Sequence, residues 1–247
     1  NIFGYTLLPG TEFFARREEY RIETIPVAGY GKAKGEYVVG CHTFSVDEGI
    51  EGYFLITGHI ALVRGYVMPL TARYLALSKT APVSALFRAA LRAVAEEFQR
   101  DLPELDLSDR MQVYEHRDVL YLAALAAPAR LYAVLHRTIA DWLAKHAVDT
   151  QRIAEALCVL ELDAAFCPRG GAALRIEQRF GFDAERVAYH LNRMELPPPG
   201  AFEARPSSLS IRHPGGVGVV LKDPDGGSWF RGQVETSPAP VVASAAP

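Results

Sequence analysis

Apolar positions follow a helical rhythm through the middle of the chain and alternate like strands towards its two ends. Residues 2–8 are a β-branched and aromatic run closed by Pro9-Gly10, which predicts a strand ending in a turn. Residues 12–19 read as a short helix with Thr11 as its N-cap. The stretch 24–37, with Pro26, Gly29, Gly31 and Gly35, reads as loop, and Tyr37-Val38-Val39 as a second strand. Ser45 and Glu48 have the S-x-x-E spacing in which each side chain satisfies a backbone donor of the other's turn. Beyond them Ile50, Phe54, Gly58, Ala61, Gly65 and Met68 recur at steps of 3 and 4, one face of a helix that Pro69 should kink or end.

A further helix is expected from about 82 to 100. The most regular pattern lies in 109–146, where Val113, His116, Leu120, Ala124, Ala127, Leu131, Leu135, Thr138 and Trp142 mark a buried stripe with a kink at Pro128. Residues 149–166 predict another helix. Asp183 should cap one more, running to about 193, with Phe182 and Val187 as a hydrophobic staple. After Pro197-Pro198-Pro199-Gly200, segments 208–213, 217–221 and 229–234 are strand-like and are joined by Gly/Pro/Asp turns, which predicts a small β-meander. The expected class is α+β, mainly α-helical. Its parts are a strand and loop (1–45), a helical domain (46–200), the meander (201–235) and a disordered tail (236–247).

Composition narrows the function classes. With 26 Lys+Arg against 29 Asp+Glu and a net charge of −3, no segment offers the basic footprint of a nucleic-acid binder. The longest apolar stretches, 52–63 and 120–129, are closed by Arg64 and Arg130 and fall short of a membrane span. Cys41, Cys158 and Cys167 are an odd number without C-x-x-C spacing, which suits free thiols in a reducing, cytoplasmic setting. No basic segment precedes the apolar N-terminal run, so it does not read as a signal peptide. The first residue is Asn1 rather than Met, which suits a partial chain.

Candidate chemistry is sparse. Cys41-His42 would need the imidazole to serve as base, yet neighbours on a strand point to opposite faces. The seven histidines form no i,i+4 pair and no H-E-x-x-H, so no metal site is expected. Glu18-Glu19, Asp47-Glu48 and Glu96-Glu97 read as solvated helix faces. Asp223-Pro224-Asp225-Gly226-Gly227 reads as a turn, because it lacks the twelfth-position Glu of a calcium loop. No catalytic residue is assigned.

The run Tyr5-Thr6-Leu7-Leu8-Pro9-Gly10-Thr11-Glu12-Phe13, followed by Arg16-Arg17-Glu18-Glu19, resembles a segment of radical S-adenosylmethionine enzymes of the cobalamin-binding type. The glycine/tyrosine loop at 29–37, the run Val38 to Ser45 and the capped helix after it are similar to the segments downstream of that motif in those proteins. The resemblance covers 1–78 and loosens to 200. It implies that the opening strand is the terminal strand of a partial (β/α)6 TIM-like barrel. It also implies that Tyr5, Leu7, Leu8 and Pro9 approach the adenine of S-adenosylmethionine, and that the helices form an accessory domain packed on the barrel. The C-x-x-x-C-x-x-C triad for a 4Fe–4S cluster is absent, as are cobalamin-binding and glycine-rich segments. On this reading the chain is the non-catalytic C-terminal part of such an enzyme. Its partners would be the missing barrel and cobalamin-binding domains and a small-molecule substrate. Two alternatives stand beside it: a non-catalytic helical interaction domain, and a thiol hydrolase built on Cys41.

Overall fold

The computed structural model describes residues 6–26, 35–64, 67–80, 82–167, 174–213 and 235–238. The protein is mainly helical, with two small antiparallel sheets. The first sheet consists of β1 (Thr6–Leu7), β2 (Glu23–Pro26) and β3 (Glu36–Gly40), in the order β1-β3-β2. Thr6 lies opposite Tyr37, and Thr24 opposite Val38. Between β1 and β2 lies the single-turn helix α1 (Glu12–Ala15). The stretch expected to be loop therefore begins as a strand: Thr24 and Ile25 pair with β3, with a bulge at Glu23/Thr24.

Helix α2 (Val46–Gly58) starts at the predicted capping box. The Ser45 side chain accepts from the Glu48 backbone N–H, and the Glu48 carboxylate accepts from the Ser45 N–H at 2.8 Å. The helix then widens into a π-helical segment, His59–Arg64. That extra width rotates the apolar face, so Ile60 and Leu62 are buried while Ala61, on the predicted stripe, is only half-buried. Pro69 does not kink this helix; it opens the next one, α3 (Pro69–Ser78), at a position where its missing N–H costs nothing.

Helices α4 (Val83–Phe98), α5 (Arg110–Glu115), α6 (Arg117–Ala126), α7 (Pro128–Lys145) and α8 (Thr150–Phe166) complete the bundle. The stripe predicted as one long helix is thus three, with breaks at His116 and Ala127. Pro128 opens α7 after a bend of 104°. On α7 the buried line runs Leu131, Leu135, Ile139, Leu143. Thr138 and Trp142, one residue off that line, are half-buried. Helix α4 packs on α2 and α7, and α8 on α3 and α7.

The C-terminal part holds β4 (Leu174–Phe180), α9 (Ala184–Asn192), β5 (Ser207–His213) and β6 (Glu235–Pro238), with sheet order β4-β5-β6. Asp183 caps α9 as expected, its carboxylate accepting from Arg186 N–H. Strand β4 pairs with β5 in full register from Leu174↔His213 to Phe180↔Ser207, although no strand was expected there. Leu209 and Ile211 of β5 belong to the same apolar core as α2–α9, so this sheet is continuous with the helical domain. Of the expected meander, 217–221 and 229–234 lie outside the described residues. Residues 236–238, expected as tail, are strand paired with β5; the rest of that tail lies outside the described residues. A second, smaller core of Tyr37, Val39, Tyr53, Met111 and Tyr114 joins the N-terminal sheet to α2 and α5. Among the described residues no single helix is long and apolar enough to cross a membrane.

Candidate functional site

The opening turn is built tightly. Pro9 and Gly10 occupy the two corners of a β-turn closed by Thr11 N–H donating to Leu8 O at 3.3 Å, and Gly10 has φ +87°. Proline first and a positive-φ glycine second is the type II pattern. The Thr11 hydroxyl donates to Leu8 O at 2.8 Å and accepts from Phe14 N–H at 3.2 Å, which ties the strand to α1. Strand β1 is an edge strand, paired only with β3 among the described residues.

The four residues that the resemblance places at an adenine sit differently. Leu7 is 1% exposed, its side chain turned into the protein, so it can offer a ligand only its backbone. Leu8 is 45% exposed, and Pro9 is exposed beside it. Tyr5 lies outside the described residues. Leu8 O is already committed to Thr11, so what this turn offers an aromatic base is an apolar wall.

A chain of rings links α1 to the Cys41 turn. Tyr20 lies 5.8 Å from Phe13 and stacks on His42 at 6.0 Å, with the Arg16 guanidinium over it at 4.7 Å. His42 directs Nδ1 to Tyr20 O at 3.2 Å. The half-buried Cys41 Sγ instead meets Thr43 Oγ1 at 3.0 Å and accepts from Thr43 N–H at 3.5 Å. The Thr43 hydroxyl is the main reason the Cys41 thiol titrates below its ordinary range. Among the described residues the Cys41 sulfur is hydrogen-bonded by Thr43 and by no imidazole.

The donors for a metal cluster do not converge. Cys41 follows β3 in an isolated bridge with Phe44, Cys158 lies within α8, and Cys167 is buried at the end of α8. Burial pushes the Cys158 thiol up to about 11, which opposes the thiolate a metal needs. Among the described residues no group of three His, Cys, Asp or Glu side chains gathers at one point. These side chains do not fit an iron–sulfur cluster.

A cleft of about 410 Å³ opens between α4 and the loop leading to α5, over Phe54 and Leu107. Its walls are braced: Gln99 donates to Leu102 O and Leu105 O and accepts from Leu107 N–H. Arg110 is clamped by Asp47 and Glu51.

Sequence reasoning missed two buried carboxylates. Glu155 accepts from the Tyr74 hydroxyl and from Arg152. Asp163 accepts from Leu70 N–H, Thr71 N–H and the Thr71 hydroxyl. The only available signal was a charge on the apolar side of an Ala/Leu-rich helix. No protein-family model matches the chain, and no curated protein matches it either.

Proposed function

We propose that this chain is the C-terminal segment of a cobalamin-type radical S-adenosylmethionine enzyme. In this reading it packs on the barrel and frames cofactor and substrate, and it is not catalytic alone. The observation that carries the reading is the Pro9-Gly10 turn at the end of β1. That strand has a free edge among the described residues, and exposed Leu8 and Phe13 (51% exposed) lie beside it. A free edge of two residues with apolar neighbours is the surface on which a barrel strand could continue the sheet.

Each part then has its own role. The S-adenosylmethionine and 4Fe–4S chemistry, with any cobalamin, belongs to the upstream domains, where reductive cleavage would supply a 5′-deoxyadenosyl radical. This chain contributes the apolar wall of Leu8 and Pro9. The α2–α8 bundle braces β1 through the Tyr37, Tyr53 and Tyr114 contacts, whose ring centroids are 4.7–5.5 Å apart. The test is the coding sequence upstream of Asn1. A C-x-x-x-C-x-x-C in the same reading frame is expected, and a stop codon or an unrelated domain there would overturn the proposal. A second reading, a helical interaction module, is favoured by Val119 and Leu122, which are 42% and 39% exposed on α6.

A further inference from the structure

The cleft between α4 and the loop leading to α5 shares no residue with the Pro9-Gly10 turn. Its volume of about 410 Å³ falls within the range of small-molecule sites, about 300–1,000 Å³. One wall is a face of α4 and its C-terminal cap, where Arg92, Glu96 and Gln99 stand at steps of four and three. The loop supplies Ser108 opposite, and the buried Phe54 and Leu107 make an apolar floor.

Most polar groups around the cleft already have partners. Gln99 commits its whole amide to the loop, donating to Leu102 O at 3.2 Å and Leu105 O at 2.6 Å and accepting from Leu107 N–H at 2.8 Å. Ser108 donates both its hydroxyl and its N–H to Asp106 Oδ1, which leaves the hydroxyl oxygen as an acceptor. Arg110 lies between Asp47 and Glu51, and Arg88 pairs with the second oxygen of Glu51, so these four charges balance. Arg92 and Glu96 are different. Both are exposed, one helical turn apart, and neither side chain makes a hydrogen bond or an ion pair among the described residues.

We propose that this cleft binds a free α-amino acid with a large apolar side chain. Arg92 takes the carboxylate, through the paired N–H donors that a guanidinium presents. Glu96 takes the ammonium group, with the Ser108 hydroxyl oxygen as a second acceptor, and the side chain lies over Phe54 and Leu107. Charge selects this class. A ligand with a carboxylate alone meets Glu96 on the same wall, and one with an amine alone meets Arg92; a zwitterion answers both. An exposed pair between the two side chains themselves is weak, so the ligand displaces little. The braced loop and the clamped Arg110 hold the cleft's shape in advance, which lowers the ordering cost of binding.

The experiment is calorimetric titration of the 247-residue chain with L-phenylalanine and L-leucine, beside the one-charge analogues 3-phenylpropanoate and 2-phenylethylamine. At least one of the amino acids should bind at a single site with a Kd below about 1 mM, and both analogues should bind about tenfold more weakly or worse than phenylalanine. Arg92→Gln and Glu96→Gln should each weaken amino-acid binding about tenfold, with unfolding midpoints unchanged because both positions are exposed. Glu96→Gln should also tighten 3-phenylpropanoate, and Arg92→Gln should tighten 2-phenylethylamine, which a purely structural role for either residue would not do. No saturation by either amino acid up to about 10 mM would overturn the proposal. So would analogues that bind as well as phenylalanine, or amino-acid binding that survives both substitutions.

Discussion

Gly49 of α2 lies directly against Val39 of β3: a Cβ built on Gly49 would fall 1.9 Å from the Val39 carbonyl oxygen. Backbone meets backbone here, with no flexible side chain to yield. The close approach lets α2 pack under the first sheet and brings Tyr53 within hydrogen-bond reach of Val38 O at 3.1 Å. Gly49→Ala should therefore force the helix off the sheet and cost about 1–3 kcal/mol, as overpacking generally does. Chemical denaturation checks this. Wild-type stability in the variant would contradict the packing described.

The register of α7 can be read by a pair of truncations. Ile139 is fully buried and Thr138 half-buried, although the sequence stripe passes through Thr138. Ile139→Ala should cost about 2–5 kcal/mol. Thr138→Ala should stay within about 1 kcal/mol of wild type. Reversed costs in thermal or urea unfolding would restore the register of the stripe.

That pair illustrates what the sequence carries and what it does not. Caps are local, so Thr11, Ser45, Asp149 and Asp183 do on the structure what their spacing announces or allows. Pro128 marks a true corner. The stripe keeps its register across the breaks at His116 and Ala127, as far as Leu131 and Leu135, and slips inside α7, where it steps by 3 to Thr138 while the buried line steps by 4 to Ile139. Strand β4 was hidden because its partner β5 lies beyond α9, and its pattern of exposed Arg175, Glu177 and Arg179 is weak without that partner. Asp163 and Thr71 are 92 residues apart, and no local pattern links them. At the candidate site the turn chemistry of Pro9-Gly10 was legible. The burial of Leu7 was not, because it depends on how β1 packs.

The thiols should separate by reactivity. Thr43 lowers the Cys41 pKa, while burial raises Cys158 to about 11 and Cys167 is buried. In the native protein near neutral pH, iodoacetamide should label Cys41 first, and Thr43→Val should slow that labelling by about threefold or more. Peptide mass mapping reads both. Labelling led by Cys158, or an unchanged rate in Thr43→Val, would contradict this assignment.

Asp163 also fixes the sign of a stability profile. Its folded-state pKa lies above the ordinary carboxyl value of 3.8, at about 7. The contribution is therefore fully present below about pH 4, falls as pH rises, and levels off above about pH 7. The stability of wild type minus that of Asp163→Asn should decline by a few kcal/mol across that window. A difference that grows with pH would mean the carboxylate is favoured by its three donors, with burial the lesser effect.

We propose that this chain completes a radical enzyme whose cluster lies elsewhere on the polypeptide. The most direct measurement is 5′-deoxyadenosine formation from S-adenosylmethionine under anaerobic reduction, after iron and sulfide reconstitution. It should be run on the polypeptide extended upstream of Asn1 and on the 247-residue chain by itself. The account predicts a four-iron cluster and 5′-deoxyadenosine from the extended protein, and neither from the chain alone. A stoichiometric cluster on the chain alone, or an extended protein that binds no cluster and leaves S-adenosylmethionine intact, would contradict it.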